Sequence, residues 1–202
     1  LALAHLELGH WKIGFERYHK AVFSKTRLNL NYWASGKTPV WDGTPDQTVV
    51  VYGEQGVGDE IMFASMLPDV MKTNEVVLEC HKRLKTLFEN SFGIKCYGTR
   101  EDVEINWLGR HRFDAKCSIG SLGKFYRRSK EAVPGTPYLI APPLPKGNKF
   151  RVGISWTGGK KATRVVKRTV PLSWWKTIFH NDCEFVSLQY TDCSDEIRIV
   201  NE

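Results

Sequence analysis

Residues 48–60, TVVVYGEQGVGDE, join a β-branched run to three glycines, an acidic pair and a stretch of helical period. Val49, Val50 and Val51 are stiff at χ1 and suit a buried strand. Gly53, Gly56 and Gly58 permit backbone conformations and close approaches that a Cβ would forbid. Phe63, Leu67, Val70 and Met71 then recur at helical spacing, with Asp59 where the helix would begin. Strand, glycine loop and helix in that order describe the binding edge of an α/β fold, so chemistry is expected at residues 53–59. The same residues also describe a tight strand-to-helix turn, with Asp59 as an N-cap accepting hydrogen bonds from the orphan N–H groups of the first turn. Pro68 inside the helical pattern predicts a kink or an early end, because its ring clashes one turn back.

The pattern continues as an alternation. A helix over 59–72, a strand over 75–80, a helix over 82–91, a strand over 94–97 and a strand near 113–119 follow the first strand in β-α-β order. That order predicts a parallel sheet with helices on both faces. Five prolines between 134 and 145 mark a stiff linker. A second, shorter alternation follows: a strand over 150–156, a loop at Gly158 and Gly159, a helix over 171–180 and a strand over 184–189. Two strands and one helix are too few to close a core, so this is expected to be the opening third of a second α/β domain.

Ahead of the first strand, Ala4, Leu8, Trp11, Phe15, Tyr18 and Val22 advance by alternating steps of four and three, an apolar stripe interrupted at Gly9. Leu8, Gly9, Trp11, Gly14, Tyr18 and Ala21 resemble the second half of a tetratricopeptide repeat, which predicts the last unit of an array. An ordinary amphipathic helical pair is the other reading. A linker rich in turn formers carries Trp33 and Trp41 as expected anchors. The expected division is therefore 1–36, 37–148 and 149–202.

A chain of 202 residues with 42% hydrophobic content is large enough for real cores. No apolar run reaches the roughly 20 residues that span a bilayer, and the opening LALA lacks the basic flank of a signal peptide. The absence of a starting Met suggests a fragment cut at the front, and residues 197–202 read as an interrupted periodic segment. Five cysteines without a C-x-x-C pair indicate neither a zinc site nor a disulfide framework, and fit a reducing cytoplasm. The net charge of +7 concentrates in residues 124–130 and 160–168, which admits an anionic partner. Neither run has the interleaved aromatics of an RNA-recognition motif, so nucleic acid is disfavoured.

The glycine loop reads G-x-x-G-x-G, which is neither the dinucleotide fingerprint nor a Walker loop. A nicotinamide enzyme gains a little from Glu79, at the distance of a ribose-binding acid, and from the Y-x-x-x-K spacing of Tyr126 and Lys130. No H-E-x-x-H, D-x-D or paired histidine cluster argues for a metal, and no G-x-S-x-G elbow supports a hydrolase.

Several segments together resemble bacterial tetratricopeptide-repeat glycosyltransferases of GT-B architecture, relatives of the lipopolysaccharide heptosyltransferases. They are GEQGVGD at 53–59, FASMLP at 63–68, Phe113 with Asp114, PYL at 137–139, RVGISW at 151–156, RTVPL at 168–172 and FVSLQ at 185–189. The resemblance implies two Rossmann-like domains facing across a cleft, with acceptor on the first and nucleotide-sugar mainly on the second. It implies inverting, metal-independent transfer with no cofactor besides the nucleotide-sugar, to a glycan or protein acceptor, and a protein partner held through the repeats. By the same resemblance Asp59 is the base that takes the acceptor hydroxyl proton, beside loop residues Gly53, Glu54, Gln55, Gly56 and Gly58. Ser155, Gly158, Gly159 and Arg168 face the donor diphosphate, where Arg168 would stabilise charge on the leaving group. The family's nucleotide-gripping segment would lie beyond residue 202, so activity is expected only of the full-length protein. A non-catalytic interaction module is the alternative.

Overall fold

A computed structural model describes residues 1–21, 37–53, 56–102, 105–143, 145, 147–158 and 169–201. The chain divides into two compact units, Leu1–Pro142 and Pro143–Glu202.

The first unit is built on four parallel strands, β1 (Thr48–Tyr52), β2 (Glu75–Glu79), β3 (Lys95–Tyr97) and β4 (Ala115–Ser118), in the order β3-β2-β1-β4. Val50 pairs with Val77 on one side and with Lys116 on the other, so the β-branched run is the central strand. Val49, Val50 and Val51 are fully buried, as expected of a strand with neighbours on both edges and cover on both faces. This is a parallel α/β sheet, compatible with a Rossmann-like arrangement.

Helix α3 (Val57–Ala64) and the short α4 (Leu67–Val70) connect β1 to β2, and α5 (Lys85–Phe92) connects β2 to β3. Their apolar residues Phe63, Leu67, Val70 and Phe88 join Val49, Val51 and Leu78 in one core, so these helices share a face of the sheet. The helical run breaks at Ser65 and Met66, and Pro68 sits in the first turn of α4, where its missing N–H costs nothing. Gly93, with φ 64°, ends α5 in the left-handed conformation that a helix stop requires.

The opposite face departs from the expected helical cover. Val50, Tyr52 and Val77 are roofed by residues from 105 to 113, whose only regular element among the described residues is a 3-10 turn, Leu108–Arg110. The cover is aromatic: Tyr97 and Trp107 stack in parallel at 4.0 Å, and Tyr97 Oη lies 2.6 Å from His111 Nε2. This segment has no 3.6-residue apolar period, so large rings replace a helix stripe.

At the front, α1 (Ala2–Glu7) and α2 (Trp11–Ala21) form a hairpin turned at Gly9, φ 77°. Gly14 lets Leu6 approach, since a Cβ there would lie 2.5 Å from Leu6 Cδ2. Phe15 and Tyr18 enter the core of the sheet unit, Tyr18 meeting Phe63 edge-on at 5.4 Å. Behind the sheet edge, α6 (Gly123–Tyr126) receives Phe15 against Gly123. The front helices thus form a hairpin packed within the α/β unit. Trp41 is buried as an anchor between Phe125 and Tyr126. Trp33 and Val22 lie outside the described residues.

The second unit holds parallel strands β5 (Phe150–Ile154) and β6 (Cys183–Ser187), joined through a 3-10 helix, Leu172–Ile178, and followed by α7 (Ser194–Asn201). An α-helix over 171–180 is not formed. Trp174, Trp175, Thr177 and Ile178 are poor helix formers, and the tighter turn still buries Leu172 with Ile154 and Trp156. Trp156 Nε1 donates to Glu196 Oε2 at 2.7 Å, tying α7 to the sheet. Among the described residues of the chain, no helix is long and apolar enough to cross a membrane.

Docking of α2 has a direct test. A Cβ at Gly123 would sit 2.1 Å from Phe15 Cδ1, whereas one at Gly109 would meet nothing within 4 Å. Gly123→Ala should therefore cost about 1–3 kcal/mol in urea unfolding, and Gly109→Ala should stay within about 0.5 kcal/mol of the parent.

Candidate functional site at the carboxyl edge of the sheet

Strands β1, β2 and β3 follow one another outward, and β4 then pairs on the other side of β1. The order reverses at β1, and at such a switch point the loops leaving adjacent strands diverge and open a crevice. The loop leaving β1 is the glycine loop. The one leaving β4 is a 3-10 turn, Ile119–Leu122, with Ser121 buried.

Helix α3 begins at Val57 with Gly56 as its N-cap, earlier than the sequence pattern indicates, so Asp59 is the third helical residue rather than the cap. Its Oδ2 accepts the Gly56 N–H at 3.0 Å, fastening the loop to the helix. Asp59 is half-buried and lines a cavity of about 670 Å3 inside the first unit. The other walls are mostly apolar, among them Leu3, Leu6, Trp11, Met62 and Phe63. Arg127, from the basic run expected to admit an anionic partner, also reaches this cavity. It is buried, donating from Nη1 to Asp69 Oδ2 at 2.8 Å and from Nη2 to the Ser65 carbonyl at 2.9 Å.

The neighbouring acid has a different environment. Glu60 is fully buried, and its Oε2 accepts the His81 N–H at 2.8 Å. Its Oε1 pairs with Arg100 Nε in the loop after β3. Arg100 Nη2 lies 3.7 Å from Glu101 Oε1, and His81 Nε2 lies 3.2 Å from Glu101 Oε2. Burial pushes the Glu60 carboxyl up to about 7, against the pull of the His81 N–H and of Arg100, with Glu79 and Glu101 adding to the rise. Gly53 is needed here: a Cβ would lie 2.5 Å from Glu60 Oε1. Sequence reasoning missed Glu60, His81 and Arg100, because nothing in their spacing announces that three separate segments meet.

Of the other expected site residues, Gly58 is exposed with open space about it, and Glu54 and Gln55 lie outside the described residues. In the second unit, Ser155 is exposed and donates to Gln189 Oε1 at 2.6 Å, while Gly158 is open. Gly159 and Arg168 lie outside the described residues, so of the four donor-side residues the structure places two. Glu79, the acid at ribose-binding distance, is buried and accepts from Thr99 Oγ1 at 3.0 Å, and Trp107 Nε1 donates to the same hydroxyl. Among the described residues, no cluster of three or more His, Cys, Asp or Glu is placed to hold a metal ion.

No protein-family model matches the chain, and no solved structure matches it. Among curated proteins it is similar to Protein FlbA of Caulobacter vibrioides, 28% identical over 193 residues, which cover 80% of this chain and 32% of the relative. The chain thus spans about a third of the length of the relative it matches. These findings overturn the resemblance to tetratricopeptide-repeat glycosyltransferases of GT-B architecture. The relative's name does not indicate a glycosyltransferase, and neither a family model nor a structural neighbour supports that family. Short strand, glycine-loop and helix segments recur wherever a parallel sheet meets a ligand edge or a tight turn, so their order along a chain does not distinguish families.

The burial of Glu60 carries a stability prediction. A carboxyl whose folded pKa is raised contributes stability that is present below its unfolded value and is lost as pH rises through about 7. Denaturant midpoints measured from pH 5 to pH 8 should fall for the parent relative to Glu60→Gln as pH rises. Parallel curves would show that Glu60 ionises alike in both states.

Proposed function

We propose that the first unit binds an acceptor at the carboxyl edge of its sheet, and that the full-length protein transfers a glycosyl group from a nucleotide-sugar to the acceptor hydroxyl. The observation that carries this reading is the position of Asp59. One carboxylate oxygen is held by Gly56 N–H, which orients the group, while the residue lines a cavity walled mainly by the front helices and α3. A carboxylate so oriented can take a proton from a hydroxyl brought within hydrogen-bond reach. The walls around it favour the apolar part of an acceptor over a diphosphate, because Arg127 is already engaged by Asp69 and two carbonyls. Donor contacts are accordingly assigned to the second unit, through Ser155, Gly158, Gly159 and Arg168.

A non-catalytic interaction module is the second reading, favoured by one observation. The hydrogen bond from Gly56 gives Asp59 a complete structural reason to be there, as a fastener of the helix start.

The readings separate on Asp59→Asn in the full-length protein. As a base, its loss should lower the transfer rate by about 10²–10⁴-fold with acceptor binding retained. A rate within about twofold of the parent, or no transfer from any nucleotide-sugar by the parent, would favour the interaction module.

A further inference from the structure

The chemistry of the cavity that Asp59 lines narrows what can occupy it. Asp59, Met62 and Ser65 follow one another at three-residue steps, so one face of α3 and its C-cap forms the floor. Trp11, Phe15 and Tyr18 of α2, spaced by four and three, form the facing wall. Of the polar groups there, Arg127 is engaged by Asp69 and two carbonyls, and Ser65 Oγ donates to the Met62 carbonyl at 2.8 Å. The Asp59 carboxylate differs. Its Oδ2 holds the Gly56 N–H, and its other oxygen accepts no hydrogen bond from any described residue. A carboxylate oxygen beside apolar walls favours a ligand that brings a donor to it. Met62, Ser65 and Val133 also line an adjoining cavity of about 970 Å3, walled further along by Phe92, Tyr138 and Leu139. Tyr138 is fixed there, its hydroxyl donating to the Ile61 carbonyl at 2.8 Å. Met62 and Val133, which join the two spaces, remain 55% and 44% exposed, apolar side chains left in water along the floor.

We propose that this groove binds an amphiphilic alcohol: an alkyl chain lies along α3, between the front hairpin and the segment carrying Val133 and Tyr138, and its hydroxyl meets the open oxygen of Asp59. Methylenes buried against the Leu, Met and aromatic walls supply the affinity, while the carboxylate fixes the end at which the hydroxyl sits. A long, narrow occupant uses both spaces. A free sugar is a poor one, because the walls offer its several hydroxyls few partners. The inference deepens the transferase reading by naming the class of acceptor. The role of the hydroxyl as acceptor rests on that reading, whereas the seating of the chain does not.

Carbon-13 methyl resonances of methionine in the full chain read the groove directly. Of the three methionines, Met62 and Met66 line the cavity and Met71 does not. Titration with the straight-chain primary alcohols hexanol, heptanol and octanol should shift the first two to saturation and leave Met71 in place. Affinity should rise about fourfold per added methylene. Octanol should bind about tenfold more tightly than its isomer methyl heptyl ether, and Asp59→Asn should abolish that preference. Met62→Asp, a change at an exposed position, should weaken octanol at least about tenfold, read at Met66. Shifts that fail to saturate or that include Met71, an affinity flat with chain length, or equal binding of alcohol and ether overturn the proposal. So do Met62 and Met66 signals that move on dilution without any alcohol, which would assign the cavity to a second copy of the chain. In the full-length protein the two readings fail separately. Octanol bound as above, with a parental transfer rate in Asp59→Asn, removes the transferase reading alone. Transfer indifferent to octanol and to Met62→Asp removes the amphiphile alone.

Discussion

The first unit depends on the pairing of β1 with a parallel neighbour on each side. Paired on both edges and covered on both faces, the strand has no exposure from Val49 to Val51, and only apolar, β-branched residues can occupy it at low cost. Because β2 and β4 lie on opposite sides of β1, their connections diverge at its carboxyl end. The glycine loop is thereby delivered to the place where an α/β sheet opens.

Two adjacent acids leave that loop with opposite fates, and the helix explains the difference. Successive residues of an α-helix are rotated by about 100°, so Asp59 and Glu60 cannot face the same surroundings. Asp59 stays at the rim, fastening Gly56 and lining the cavity. Glu60 turns inward under the sheet edge, where Arg100 and the His81 N–H satisfy it. Removing a carboxylate from water is costly unless such partners are present. The front hairpin adds a second constraint, because Phe15 and Tyr18 of α2 pack in the same core as α3 and wall the cavity with apolar groups.

Much of this architecture was legible in the residues. The valine run, the helical period after Gly58 and the repeated β-α alternation lead to the strands within a few residues, since a buried parallel strand tolerates little else. Pro68 announces the break between α3 and α4. Less was legible where cover is irregular. The rings of Tyr97, Trp107 and Phe113 roof the second face without any period, and the aromatic stretch from Leu172 to Ile178 settles as a 3-10 helix. At the site, Asp59 and the glycines could be named from the loop alone, but Arg100, forty residues from Glu60, could not. The motif order that suggested a particular transferase family did not survive comparison with known proteins.

The sequence alone determined the parallel α/β character of the first unit and the location of its glycine loop, because strand burial, helix period and glycine freedom are local properties of residue types. Tertiary structure decided which acid faces the cavity, what the front helices cover and which basic group meets Glu60. Those outcomes depend on segments far apart in the chain arriving at one sheet edge. No local propensity encodes such a meeting, which is set by strand order and by the demand that a buried charge find a partner.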